Sequence, residues 1–295
     1  MNVTETPLKG DIVPLPKSAQ KKYPTTIKML PQNFHVSAFC GARSSGKSWK
    51  CCQLLYLYQL HGYTDPTNGD KCCQRIILIS PTYLANEHLF KPLKHLAPDD
   101  IHQTYSEQLL QDIIANIKEE ADATEKYLEE KAMLKKISKV RRIEDLTEEM
   151  LEFLEWYDGN LPEPKYKTRC VTHLVLDDLA GSGCYTNKSK SALTNRVILN
   201  RHIRTNFYIL VQSCKAIPKT IRNNVSVWYL YRFCNTKMVL DDLYIEVSRL
   251  VTEDQFTALY DYATTPDHGV LIVDLTGGIP KELRFRSDFN KSLSC

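Results

Sequence analysis

One octapeptide constrains this chain more than any other feature. Gly41-Ala42-Arg43-Ser44-Ser45-Gly46-Lys47-Ser48 fits the pattern G-x(4)-G-K-[ST] without a gap. An apolar run at 34–40 precedes it, and apolar residues at helical spacing follow over 49–61. The order is therefore strand, small-residue loop, helix. Glycines permit backbone torsions and close approaches that side chains block. The N–H groups of such a loop turn inward and cradle phosphate oxygens, and the helix adds its positive N-terminus to the same anion. Lys47 is spaced to reach the β- and γ-phosphates of a nucleotide, and Ser48 to place its hydroxyl on Mg²⁺. The expected nucleotide-contacting stretch runs from Gly41 through Trp49.

Further apolar runs divide the rest of the chain. Strands are predicted at 75–80, 171–176, 207–212, 225–232 and 268–275, with helices at 192–202, 241–250 and 253–263. Continuous apolar strands alternating with helices predict an α/β domain with a mostly parallel central sheet covered on both faces. Residues 1–30, rich in Lys, Thr and Pro, read as an extended arm before a domain spanning 31–295. Residues 99–168 read as a charged, solvent-exposed helical insertion into that domain.

Three further places can carry chemistry. The run HLVLDDL ends in Asp177 at the carboxyl end of a strand, where ligands of open α/β sheets bind, and a carboxylate there can hold Mg²⁺. Asp178 follows, either to polarise an attacking water or to cap a helix. The strand at 207–212 ends in Gln212, either a contact to the γ-phosphate or lytic water, or a satisfied amide. Arg201, Arg204 and Arg222 flank that strand. Each is an ordinary surface cation or a planar guanidinium lent to a neighbour's γ-phosphate.

Charge is segregated. Between 179 and 240 there are ten Lys or Arg and no Asp or Glu, whereas 99–164 holds eighteen acids against eight bases. Cations without counter-charge expect an anion. Lys188 and Lys190, in a Gly/Ser/Asn-rich loop, are assigned to double-stranded DNA. None of the ten cysteines forms a CxxC pair, which argues against a zinc ribbon. With no secretory segment and no apolar run of about 18 residues, the expectation is a soluble intracellular protein with free, mostly buried thiols and no membrane partner.

Together, GARSSGKS, HLVLDDL, NRHIRTNFYILVQS and IPKTIRNN resemble the FtsK/HerA superfamily of P-loop ATPases, and more narrowly the poxvirus-type genome-packaging ATPases of large DNA viruses and virophages. The resemblance covers most of the chain outside about 1–30 and 99–168. It implies a RecA-like fold of the ASCE type, with an added strand between the two nucleotide motifs. It also implies ATP and Mg²⁺ as cofactors and a homo-oligomeric ring, a hexamer in that family, driving double-stranded DNA into a preformed capsid. Capsid portal or vertex proteins would be partners. The site of action would be host cytoplasm or viral assembly site, and transiently the virion. By this likeness Lys47 and Ser48 serve phosphate and Mg²⁺, Asp177 is the second metal carboxylate, Asp178 the general base and Gln212 the sensor. Arg201 or Arg222 is the finger. The size of the helical insertion departs from the family pattern.

Other readings fit less well. A GTPase needs N-K-x-D, and TNKSK at 186–190 has Lys190 where Asp is required. A small-molecule kinase needs an arginine-bearing lid, which the acidic insertion does not supply. A cellular DNA translocase with the same core, or a non-motor nucleotide switch, stays open at the level of sequence.

Overall fold

The computed structural model describes residues 27, 29–61, 69–185, 191–233 and 236–294. Most of the expected arm and the loop bearing Lys188 and Lys190 lie outside the described residues. The chain runs β1 (Val36–Cys40), α1 (Lys47–His61), β2 (Arg75–Ile79), α2 (Tyr83–Phe90), β3 (Leu96–His102), α3 (Glu107–Ile137), α4 (Glu148–Trp156), β4 (Thr172–Asp177) and α5 (Ala192–Ile198). It continues β5 (Thr205–Val211), α6 (Lys219–Arg222), β6 (Val227–Tyr231), α7 (Thr236–Val247), α8 (Glu253–Thr264), β7 (Val270–Asp274), β8 (Phe285–Asp288) and β9 (Lys291–Ser292).

The strands form one sheet in the order β3-β2-β4-β5-β1-β6-β7-β8-β9. Strands β1 to β6 pair in parallel. Every residue of β1, β2, β4, β5, β6 and β7 is buried, which is why these segments read as unbroken apolar runs. Helix α1 covers one face, where Cys51, Leu54, Leu55 and Tyr58 pack against Phe39, Leu78, Tyr208 and Tyr229. The other face is filled by Leu110, Ile114, Leu193, Ile221, Phe256 and Tyr260 against Ala38, Ile77, Leu174 and Ile209.

The sheet is mostly parallel, as expected, with an antiparallel edge: β7 pairs antiparallel with β6, and β8 and β9 continue antiparallel. Two helices, α7 and α8, join β6 to β7. One crossover helix returns a chain to the starting end of a strand, but a second carries it back again. Burial on both faces gives the same apolar run in either direction.

The segment 99–168, expected as a charged, solvent-exposed helical insertion, is built into the sheet and core over its first part. Its first residues belong to β3, an edge strand. The exposed residues around Pro98 hide it from a hydrophobicity search, and Pro is tolerated at an edge. The first half of α3 then buries Leu110, Ile113, Ile114 and Ile117 in the core. Ser106 caps it, accepting a bond from the Leu109 N–H at 3.0 Å. Arg75 of β2 binds this segment through Asp100 (2.6 Å) and Glu120 (2.7 Å).

Candidate functional site

The parallel order brings the carboxyl ends of β1, β5 and β4 side by side. Cys40 is in register with Val211, and Leu210 with Asp177. Strand β5 thus lies between the strand that feeds the glycine-rich loop and the strand that ends in the acids. The loop bends sharply: Ser44 and Gly46 both have positive φ, at 62° and 95°. Only glycine takes such a backbone without strain, and successive turns of this kind aim N–H groups into one concavity. Gly41 is fixed for a different reason, since a Cβ there would stand 2.5 Å from Tyr231 Cβ.

Lys47 donates to the carbonyls of Gly41 (2.9 Å) and Ala42 (2.8 Å), which fixes its ammonium at the mouth of the loop. Burial lowers its pKa, while Asp177 and Asp178 oppose that fall. Ser48 Oγ lies 3.3 Å from both oxygens of Asp177. Asp177 is buried, which raises its pKa; hydrogen bonds from Ser80 and Ser48 act against the rise. Asp178 is exposed and takes a left-handed backbone at φ 55°. That turn points its carboxylate at Gln212, whose Nε2 donates to Oδ1 at 3.0 Å.

These groups share one cleft of about 400 Å³, lined by Arg43 to Trp49, Asp177, Asp178 and Gln212 together with Thr82, Ala85 and Asn86. Its size falls within the range of small-molecule sites. The residues present fit a nucleotide with Mg²⁺. Ser45 Oγ is buried in the loop with no hydrogen-bond partner among the described residues. A hydroxyl and a carboxylate form the hard oxygen donor set that Mg²⁺ prefers, and Mg²⁺ completes its shell with water and phosphate. A second cavity of about 250 Å³ opens on the other flank of the loop, between Arg43, Tyr231, Arg232 and His268. His268 is delivered there by antiparallel β7, and its ring lies about 3.6 Å from where a Cβ on Gly46 would be.

The remaining sequence expectations are distributed as follows. Gly41 and Ala42 form the base of the loop; Ala42 faces the second cavity. Neither Arg201 nor Arg222 lines the cleft of the same chain. Arg201 is exposed on the turn before β5, at the opposite end of that strand from Gln212. Arg204 is engaged, its Nη2 3.1 Å from Asp70. Arg222 is half-buried, with its Nε unpartnered among the described residues. Glu87, on α2 just after β2, is exposed and outside the cleft lining.

Sequence reading missed a polar relay after β2. Asn86 Nδ2 donates to Thr82 Oγ1 (3.4 Å), Thr82 and Ser80 hydroxyls lie 3.2 Å apart, and Ser80 Oγ donates to Asp177 Oδ2 (3.2 Å). The available signal was Ser80 and Thr82 at the carboxyl end of a strand, the end where α/β sheets bind ligands.

No family model and no curated protein sequence matches this chain. Among solved structures, the chain is similar to the genome packaging NTPase B204 from Sulfolobus turreted icosahedral virus 2 in complex with ATP-gammaS, at 12% identity and TM-score 0.47, over 82% of this chain and 92% of that one. It is also similar to EssC (ATPases 2 and 3) from Geobacillus thermodenitrificans, at 16% identity and TM-score 0.45, over 81% of this chain and 37% of that one. At such identities and scores, function has to be read from the site's own residues. Among the described residues no helix is long and apolar enough to cross a membrane.

Proposed function

We propose that this chain is a Mg²⁺-dependent ATPase that works as a double-stranded DNA translocase, the motor that packages a viral genome into a preformed capsid. The observation that carries the ATPase reading is the convergence of Lys47, Ser48, Asp177, Asp178 and Gln212 on one cleft from three adjacent parallel strands. Lys47 and the loop N–H groups bind the β- and γ-phosphates. Ser48 and Asp177 would hold Mg²⁺, which would supply positive charge against the phosphate oxygens. Asp178 takes a proton from the attacking water, and Gln212 orients Asp178 and reports on the γ-phosphate.

The finger is supplied between copies by Arg201 or Arg222. Arg204 is the poorest of the three candidates, because its charge is already met by Asp70. The motor and DNA parts rest on the ordered set of sequence motifs and on the acid-free basic run at 179–240. The copies assemble as a ring, a hexamer by family likeness, with portal or vertex proteins as capsid contacts.

The test is ATP turnover with and without double-stranded DNA, alongside mass in solution with nucleotide. DNA-stimulated turnover by an oligomer is expected. Turnover indifferent to DNA would leave a nucleotide switch, and absent turnover would remove the ATPase reading.

A further inference from the structure

The second half of α3 leaves the sheet. Beyond Ile117 its buried residues are Thr124, Tyr127 and Glu130 only. There α4 packs back on it through Phe153, leaving a groove of about 620 Å³ beside Met133, Phe153 and Trp156. The tip of this helical hairpin is basic, with Lys135, Lys136, Lys139, Arg141 and Arg142 exposed, whereas the outward side of α4 is both acidic and apolar. Residues 143–164 contain eight acids and no Lys or Arg. Ile143 is 83% exposed, Leu151 46% and Trp156 58%. Glu148, Glu152 and Glu155 form one exposed stripe of α4, at i, i+4 and i+7, without ion pairs among the described residues. An exposed tryptophan among unpaired acids calls for a basic, partly apolar partner.

This chain carries such a surface on α5. Ile198 is 53% exposed and Leu199 follows it, with Arg196 beside them and unpaired among the described residues. The two surfaces cannot meet within one molecule. Helix α5 is tied to the start of α3, where the Ala192 N–H donates to Glu107 Oε1 at 3.0 Å. The acidic hairpin sits some 25 residues further along that rigid helix, about 40 Å away at ~1.5 Å per residue. Only a second copy can bring α4 onto α5.

We propose that the α3–α4 hairpin is a docking arm whose acidic-apolar face seats on the basic-apolar α5 shoulder of the next copy. Two different patches then face each other, so the contact is head-to-tail, which repeats around the proposed ring when the rotation between copies closes. The inference rests on the ring assembly proposed above, and its test reads association instead of turnover.

The full-length chain is sedimented with Mg²⁺ and nucleotide as wild type, as an arm variant (Glu148→Lys, Glu152→Lys, Glu155→Lys) and as a shoulder variant (Arg196→Glu, Ile198→Glu). Each variant alone opposes like charges and is expected to weaken association by roughly tenfold or more, down to the 34.0 kDa monomer. Mixing the two variants restores opposite charges at every contact, so the oligomer returns. A milder pair, Glu152→Lys and Arg196→Glu, is read the same way and keeps the test valid if the multiple variants melt early. Variants that each assemble like wild type, or a mixture that stays monomeric, overturn the docking arm while leaving a ring held by other surfaces. A wild type that stays monomeric with nucleotide and DNA removes the ring reading itself.

Discussion

Gln212 and Asp178 are joined by a 3.0 Å hydrogen bond, although 34 residues separate them in the chain. The bond exists because β5 and β4 are neighbours in the sheet and because Asp178 accepts a left-handed backbone at φ 55°. A non-glycine residue in that region costs about 1–3 kcal/mol. Here the turn carries the carboxylate from the buried edge of β4 into the cleft.

The first prediction follows from that pair. Asp178→Asn removes the proposed proton acceptor and leaves Asp177 in place. Turnover should fall by about 10²–10⁴-fold with Mg-ATP affinity retained. Gln212→Ala should lower kcat by about 10²-fold with KM little changed, because Asp178 loses its orienting donor. Steady-state kinetics of both variants decide the point; normal turnover in Asp178→Asn would place the base elsewhere.

Lys47→Ala should abolish hydrolysis, by roughly 10²–10³-fold or more, without unfolding the chain. The lysine lies at the loop mouth, and its ammonium bonds two backbone carbonyls of that same loop. Turnover and a melting curve measured on the same preparation separate loss of chemistry from loss of fold.

Ser80→Ala should weaken Mg²⁺ binding by about tenfold or more while sparing nucleotide binding measured without metal. Ser80 holds Asp177 Oδ2 and links it to Thr82 and Asn86. Outer hydrogen bonds of this kind are worth about 10–100-fold in metal affinity. Titrating Mg²⁺ into both proteins checks it, and Ser80→Thr should restore part of the loss.

Gly269→Ala should destabilise the chain by roughly 2 kcal/mol or more. A Cβ there would run into the Ala263 carbonyl and stand 2.8 Å from the Pro266 carbonyl, both backbone atoms that cannot turn aside. Because the same loop carries His268 against Gly46, nucleotide affinity should drop with stability. Chemical denaturation and nucleotide titration read the two effects.

Acid should destabilise the fold through two buried histidines. Burial lowers the pKa of His173 from 6.5 to about 4, and burial, with the charge of His173, lowers that of His35 as well. Well above pH 6.5 both rings are neutral whether folded or unfolded, and their contribution to stability is fully present. As pH falls from 6.5 to about 4, the unfolded chain takes up protons that the folded chain refuses. Stability is lost through that window, by about 3 kcal/mol for His173. Denaturation midpoints across pH should show this slope, and His173→Gln should flatten it.

The octapeptide at 41–48 was legible at once, since its backbone needs glycines where few other residues fit. Asp177 and Gln212 were legible as polar residues ending apolar runs, because a strand buried on both faces must stop where the chain reaches solvent. Strand β3 was not legible, because an edge strand around Pro98 has little to bury. Ser80 and Asn86 were hidden too, because a small polar side chain shows its role only when a neighbour's carboxylate is beside it.

By itself, the sequence determined the local elements: the bend of the glycine-rich loop, the apolar strands and the places where polar groups end them. Local backbone sterics and the cost of exposing apolar surface act within a few residues, so a linear chain records them. Only the tertiary structure decided which strand ends stand together, that β7 runs backward and brings His268 to the loop, and that α3 holds its acidic hairpin away from the α5 shoulder. Those relations depend on strand pairing and helix length across large separations in the chain, and no window of the sequence contains both partners.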